Sequence, residues 1–245
     1  MESREFGIGK LISSVLIPTT VFTGLYICLG LHFQKLPSML LFFLVAVVTL
    51  FPVELAMIAR ESKREYGKYS LRSALIGQDN MKLATALFPG FLAFAYAGIC
   101  NAVIFPLETK IMASVVDVVN SRTPVFFQWD NMESIQHYPK NVLYVALIIY
   151  FIGNVIVGPI VEELFFRGFL TRKLERFGNL APVIVTVLFS LYHFWLPFQN
   201  IFRIAVFLPV SYITWKKKNL YISIVFHCTC NLFSTVSFII MVFGR

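Results

Sequence analysis

The chain has 245 residues, 58% of them hydrophobic and only 14% charged, with a mean hydropathy of +0.74. That composition excludes a disordered chain and argues against an ordinary water-soluble domain. The net charge of +8 is no nucleic-acid signature, because the charges sit between apolar runs, where positive-inside topology puts them, and no RNA- or DNA-binding motif is present.

Apolar runs of about 20 residues predict an all-α, multi-pass transmembrane helix bundle. After a short basic lead over 1–10, the first span is read at 11–33, as a retained helix rather than a cleaved signal peptide. A turn at Lys35-Leu36-Pro37 leads to a second span at 38–59. Its Glu54 is read either as interfacial or as pointing into the bundle. The loop over 60–82, with Arg60, Lys63, Arg64, Lys68, Arg72 and Lys82, reads as solvated and cytoplasmic. A third span is placed at 83–107, with Gly90 and Gly98 as points of close helix packing.

The polar stretch 108–140 follows. Ile111, Val115, Val118 and Val119 recur at helical spacing and predict a surface helix. Phe126, Phe127 and Trp129 suit an interfacial belt, and a lid over a site is a further reading of this long loop. The fourth span, 141–170, runs on into Arg172, Lys173 and Arg176 and breaks at Gly178-Asn179. Spans at 180–195, 198–215 (with Arg203) and 220–243 complete a seven-span reading, with an eighth short or re-entrant helix left open. Basic residues gather on alternate sides: Arg4, Lys10, the 60–82 loop, Arg167, Arg172, Lys173, Arg176 and Lys216 to Lys218 against Lys35, Lys110, Arg122, Lys140 and Arg245. This bias places the N-terminus in the cytoplasm. Cys28, Cys100, Cys228 and Cys230 form neither a CxxC motif nor a disulfide framework and are read as buried free thiols.

Against this background the fourth span carries Val161-Glu162-Glu163-Leu164-Phe165-Phe166-Arg167. Ionisable groups in a span are expensive and usually mark a site. Glu163 and Arg167, four apart, share a helix face and can pair, whereas Glu162 points about 100° away, free to meet another partner. Two histidines lie in later spans, His193 after Phe189, and His227 four residues before Asn231. A lone buried histidine is more often a satisfied core residue. Two glutamates, two histidines and an asparagine on the last four spans favour one shared polar site.

The ordered set Glu162-Glu163…Arg167, Phe189…His193 and His227…Asn231 resembles the CPBP family of CAAX proteases and bacteriocin-processing enzymes. The resemblance covers roughly 141–243. The length suits a single membrane-embedded domain over 1–245, with 1–140 as N-terminal helices and loop; the resemblance makes 141–243 its catalytic core. It further implies an intramembrane endopeptidase acting on a membrane-associated peptide or a lipidated protein. Glu162 would activate a water with help from His193. His227 and Asn231 would stabilise the oxyanion, and Glu163 with Arg167 would hold Glu162. A metal-free mechanism is favoured, since Asn is a poor zinc ligand but a good oxyanion donor. Zinc on Glu162, His193 and His227 stays open as the alternative. Two other readings are carried: a non-catalytic membrane scaffold or immunity protein of the same fold, and a proton-coupled transporter using the glutamate pair. With no eukaryotic targeting signal, a prokaryotic plasma membrane is the expected location.

Overall fold

The computed structural model of the protein describes residues 5–77, 81–129 and 132–243. Arg4 and Arg245, used above to orient the chain, the start of the basic lead, and short pieces of the 60–82 and 108–140 stretches lie outside them. The described residues form helices and no strand: α1 (Ile8–His32), α2 (Ser38–Val48), α3 (Leu50–Tyr66), α4 (Leu87–Asn120), α5 (Met132–Gln136), α6 (Lys140–Lys173), α7 (Ala181–Tyr192), α8 (Asn200–Lys217) and α9 (Tyr221–Phe243). Five units are long and apolar enough to cross a membrane: α1, α2 with α3, α4, α6 and α9.

This differs from seven spans in one place. Helix α7 has 12 residues, which is about 18 Å of rise, well short of a hydrocarbon core of about 30 Å. Helix α8 has 18 residues and carries Arg203, Lys216 and Lys217. The two pack side by side as a hairpin. Its open end lies at the basic end of the bundle, where Tyr212 donates to the Asn179 carbonyl (2.6 Å) and Lys218 faces Glu175 (3.8 Å). Its tip, residues 193–199, lies within the bundle, where Trp195 packs edge-on to Phe22 and Phe42 at 5.2 Å each. The mostly apolar 180–195 run gave no sign that the helix ends at Tyr192.

The second span bends at Thr49 (φ −122°, ψ −72°). Pro52 explains the break, because its ring clashes with the carbonyl four residues back and its nitrogen donates nothing. Helix α6 is continuous but widens to i→i+5 turns over Ile152–Val157 and Leu164–Leu170. Pro159 cannot donate to an ordinary ladder, and the first wide turn accommodates it. Gly153 lets Phe43 approach there, since a Cβ would stand 2.4 Å from the Phe43 ring.

Several sequence expectations are corrected. The 108–120 stretch is no surface helix but the continuation of α4, whose 34 residues cross Pro106 without breaking. Ile111, Val115 and Val118 are exposed along its flank. Phe126 and Phe127 close over Gly30, and Trp129 donates to the Tyr26 hydroxyl (3.1 Å), so this part of the loop covers one end of α1. Gly90 is a close-packing point against Val225 and Ile222, whereas Gly98 has open space around it. Of the four thiols only Cys100 is buried, Cys228 and Cys230 are half-buried, and Cys28 is exposed on the outer face of α1.

The charged 60–82 segment is only partly solvated. Ala74, Leu75 and Ile76 are buried, and the Ile76 amide donates to the Gly168 carbonyl (3.1 Å). Lys173, fully buried, pairs with Glu65 and with Glu61 (3.3 Å), while Lys10 reaches Glu61 (3.1 Å). Arg172 donates to the Ser73 carbonyl (2.6 Å) and to Tyr66. The segment folds back because the chain can satisfy its charges against α1, α3 and the end of α6, which buries otherwise exposed apolar residues.

Candidate active site

Glu162 and Glu163 sit between the two wide turns of α6, both buried. Glu163 is the committed member of the pair. Its Oε1 accepts from the Arg167 guanidinium (2.9 Å) and from His227 Nδ1 (2.9 Å). Arg167 also donates to Ser211 Oγ (3.2 Å) and lies over the rings of Phe189 (4.0 Å) and Phe207 (4.7 Å). A cation 1% exposed is tolerated because a carboxylate, a hydroxyl and two ring faces replace its water.

Glu162 faces elsewhere, as the 100° rotation requires, and its Oε2 stands 3.8 Å from His227 Nε2. His227 is therefore placed between the two carboxylates. A carboxylate oxygen can only accept, so Nδ1 carries a hydrogen and Nε2 is the end presented to Glu162. The pairing of His227 with Glu163 is an addition to the sequence reading, which linked Glu163 to Arg167 alone.

His193 leaves the helical path at the end of α7 (φ −80°, ψ 64°). Its Nδ1 contacts the Phe189 carbonyl at 2.7 Å. That contact likewise requires a hydrogen on Nδ1 and leaves Nε2 as the free end. Phe189 is the hub of the site. Its ring is 4.7 Å from that of His193, 5.8 Å from His227, 4.7 Å from Phe207 and 5.1 Å from Phe166. The two imidazoles thus flank one phenyl ring and lie within electrostatic reach of each other. The short α7 puts His193 at the tip of a hairpin that stops inside the bundle.

Asn231, one turn beyond His227, donates from Nδ2 to the Asn154 carbonyl (2.8 Å). Asn154 lies in the first wide turn of α6, where the i→i+5 register frees carbonyls from the ordinary ladder. Its own amide donates to Thr235 (2.9 Å). Asn231 is therefore fixed to α6, with its second amide hydrogen uncommitted.

Three buried groups near the site carried no motif. Glu54, 1% exposed, faces the Tyr192 hydroxyl and Glu162, with no hydrogen bond to either carboxylate oxygen among the described residues. Arg203 and Glu108, both buried, bracket the His193 turn. Glu54 and Arg203 were signalled as ionisable groups within apolar runs, whereas Glu108, read as the start of a polar stretch, carried no signal. As for a metal, among the described residues no three His, Cys, Asp or Glu side chains are grouped as an ion would require. Glu162, His193 and His227 do not make up such a donor set.

Fold and site together define a helical integral membrane protein with a buried carboxylate–imidazole centre between its later helices. The family described as Rce1-like, type II CAAX prenyl endopeptidase, matches residues 144–233, which hold every residue of the three motifs. That match agrees with the family the motifs resemble and supports an intramembrane endopeptidase of the CAAX type. Neither curated proteins nor solved structures gave a match.

Proposed function

We propose that the protein hydrolyses a peptide bond of a membrane-associated or lipidated substrate with water activated by Glu162, without a metal. One observation carries the reading: Glu163 is bound by Arg167 and His227, while Glu162, the next residue, is free and faces His227 Nε2 at 3.8 Å. A water about 2.8 Å from each of these two atoms satisfies ordinary hydrogen-bond geometry. Glu162 takes one proton of that water as the oxygen attacks the substrate carbonyl carbon. The C–N bond then breaks, and the protonated Glu162 gives its proton to the leaving amine. The free Nε2 of His193 is suited to accept a hydrogen bond from the attacking water. Asn231 Nδ2 is suited to donate its uncommitted hydrogen to the oxyanion, beside the His227 ring that Glu163 holds through Nδ1. Asn231 is a useful donor there and would be a poor zinc ligand, which favours the metal-free version. The positive-inside bias puts the basic end of the bundle in the cytoplasm.

The test uses purified protein in lipid nanodiscs and a farnesylated CAAX-type peptide. Glu162→Gln should lower cleavage by at least about a thousandfold, as expected when a general base and its proton return are both lost, with the thermal unfolding profile retained. Incubation with a zinc chelator should leave the wild-type rate unchanged. Undiminished cleavage by Glu162→Gln would overturn the assignment, and loss of activity on chelation would replace it with the zinc version.

A further inference from the structure

The turn carrying His193 is an exposed-backbone problem inside an apolar bundle. Helix α7 ends at Tyr192; the His193 and Phe194 amides take the Ser190 (3.3 Å) and Tyr192 (2.9 Å) carbonyls, and side-chain donors complete the set around the turn. The structure supplies them one by one. The Phe189 carbonyl accepts from His193 Nδ1 (2.7 Å), and the Tyr192 carbonyl from Thr19 Oγ1 (2.7 Å) on α1. The Pro197 carbonyl accepts from Asn200 Nδ2 (2.6 Å). The two carbonyls at the flanks of the turn, Ser190 and Leu196, accept from a single guanidinium: Arg203 NH1 (3.2 Å) and NH2 (3.1 Å). These residues stand three before and three after His193. A planar fork spanning both fixes the turn as no single-point donor can.

Arg203 is itself held. It lies in the first turn of α8, whose leading amides, Ile201 and Phe202, donate to the two oxygens of Glu108 on α4 (2.8 and 2.7 Å). Glu108 therefore satisfies orphan amides at the positive end of the helix, and the charges of Glu162 and Glu108 both lie within electrostatic reach of the Arg203 guanidinium. The Asn200 carboxamide oxygen accepts from Ser190 Oγ (2.8 Å) and faces Arg203 (3.5 Å), which ties α7 to α8 a second time.

We propose that Arg203, seated by Glu108, is a positioning residue for the reaction: it clasps both sides of the 190–196 turn and so fixes His193 against the Phe189 ring that it shares with His227. The assignment rests on the endopeptidase reading for its catalytic consequence, and on the carbonyl contacts alone for its structural one. The two are measured separately. Amide hydrogen exchange, read by mass spectrometry on the full-length protein in nanodiscs, follows the peptide covering 190–199. Cleavage of the farnesylated CAAX-type peptide gives kcat and KM.

Arg203→Met should raise exchange in that peptide by about tenfold or more, as expected for a locally opened segment, with the peptide covering His227 unchanged. It should lower kcat by about 10–100-fold, the effect of a displaced catalytic group, with KM within about twofold of wild type. Arg203→Lys, which can reach one carbonyl but not both, should restore part of both readouts. Glu108→Gln keeps one acceptor for the α8 amides and should move both in the same direction by less. It serves in place of Arg203→Met if that variant does not fold. Wild-type exchange in 190–199 for the variants overturns the clasp. Raised exchange with unchanged kcat overturns its catalytic consequence. If the wild-type protein and Glu162→Gln cleave the peptide equally, the endopeptidase reading has failed and the exchange data alone decide the clasp.

Discussion

Replacing Arg167 with methionine tests whether the buried Glu163–Arg167 pair holds the site together. The ion pair is 2.9 Å long, with side chains 1% and 0% exposed. At that separation, with an effective dielectric of about 20, the attraction is about 6 kcal/mol. The measurable loss is set by what remains. Methionine follows the stem of the arginine and keeps part of the contact with Phe189 and Phe207. It leaves the Glu163 carboxylate with His227 as its one charge-balancing neighbour. Removing one partner of a buried pair costs about 3–5 kcal/mol. At about 2–4 °C per kcal/mol for a chain of this size, the unfolding temperature should fall by about 6–20 °C. Circular dichroism in a single detergent reads this directly. Glu163→Gln combined with Arg167→Met removes both charges and should recover at least about 2 kcal/mol relative to the sum of the single variants. An Arg167→Met protein within about 1 kcal/mol of wild type, a surface-pair magnitude, or additive single variants, would refute the claim that this pair is a mutually dependent buried unit.

Two other outcomes follow from packing and polar satisfaction. Glu54 is buried with neither carboxylate oxygen hydrogen-bonded among the described residues, and it faces a second carboxylate, Glu162. Glu54→Met fills the same space without polar atoms and should stabilise the protein by about 1–3 kcal/mol, the usual cost of an unsatisfied buried group. An unfolding temperature no higher than wild type would count against it. Gly153→Val places a Cβ 2.4 Å from the Phe43 ring and should destabilise by about 1–3 kcal/mol through overpacking. It should also weaken peptide cleavage through the adjoining Asn154–Asn231 bond, whereas wild-type stability would show that Phe43 yields freely.

The first residues of the site were legible because helical spacing is a local rule. Glu163 and Arg167, four apart, had to share a face, and Glu162 had to point away. The structure has the first two paired and the third beside His227. The greasy runs likewise announced a helical membrane bundle, because a lipid-exposed backbone must satisfy itself within each helix. The end of α7 was not legible. Residues 180–195 are mostly apolar, and hydropathy cannot tell a helix that crosses from one that stops halfway and turns. That stop depends on donors from other helices: Thr19, Asn200 and Arg203 take the freed carbonyls, and Glu108 seats the helix that brings two of them.

The same division holds at the basic end. Composition read 60–82 as a solvated loop, and its charges do lie at that end, but Lys173 finds its partners on α3, across more than a hundred residues of chain. By itself the sequence determined the helices, the membrane as their solvent, and the pairing of charges within one helix, since each follows from period and composition along the chain. Only the tertiary structure decided which helix crosses, which carboxylate stays free, and what orients the histidines. Those outcomes depend on distant side chains meeting buried polar groups that no residue nearby can satisfy.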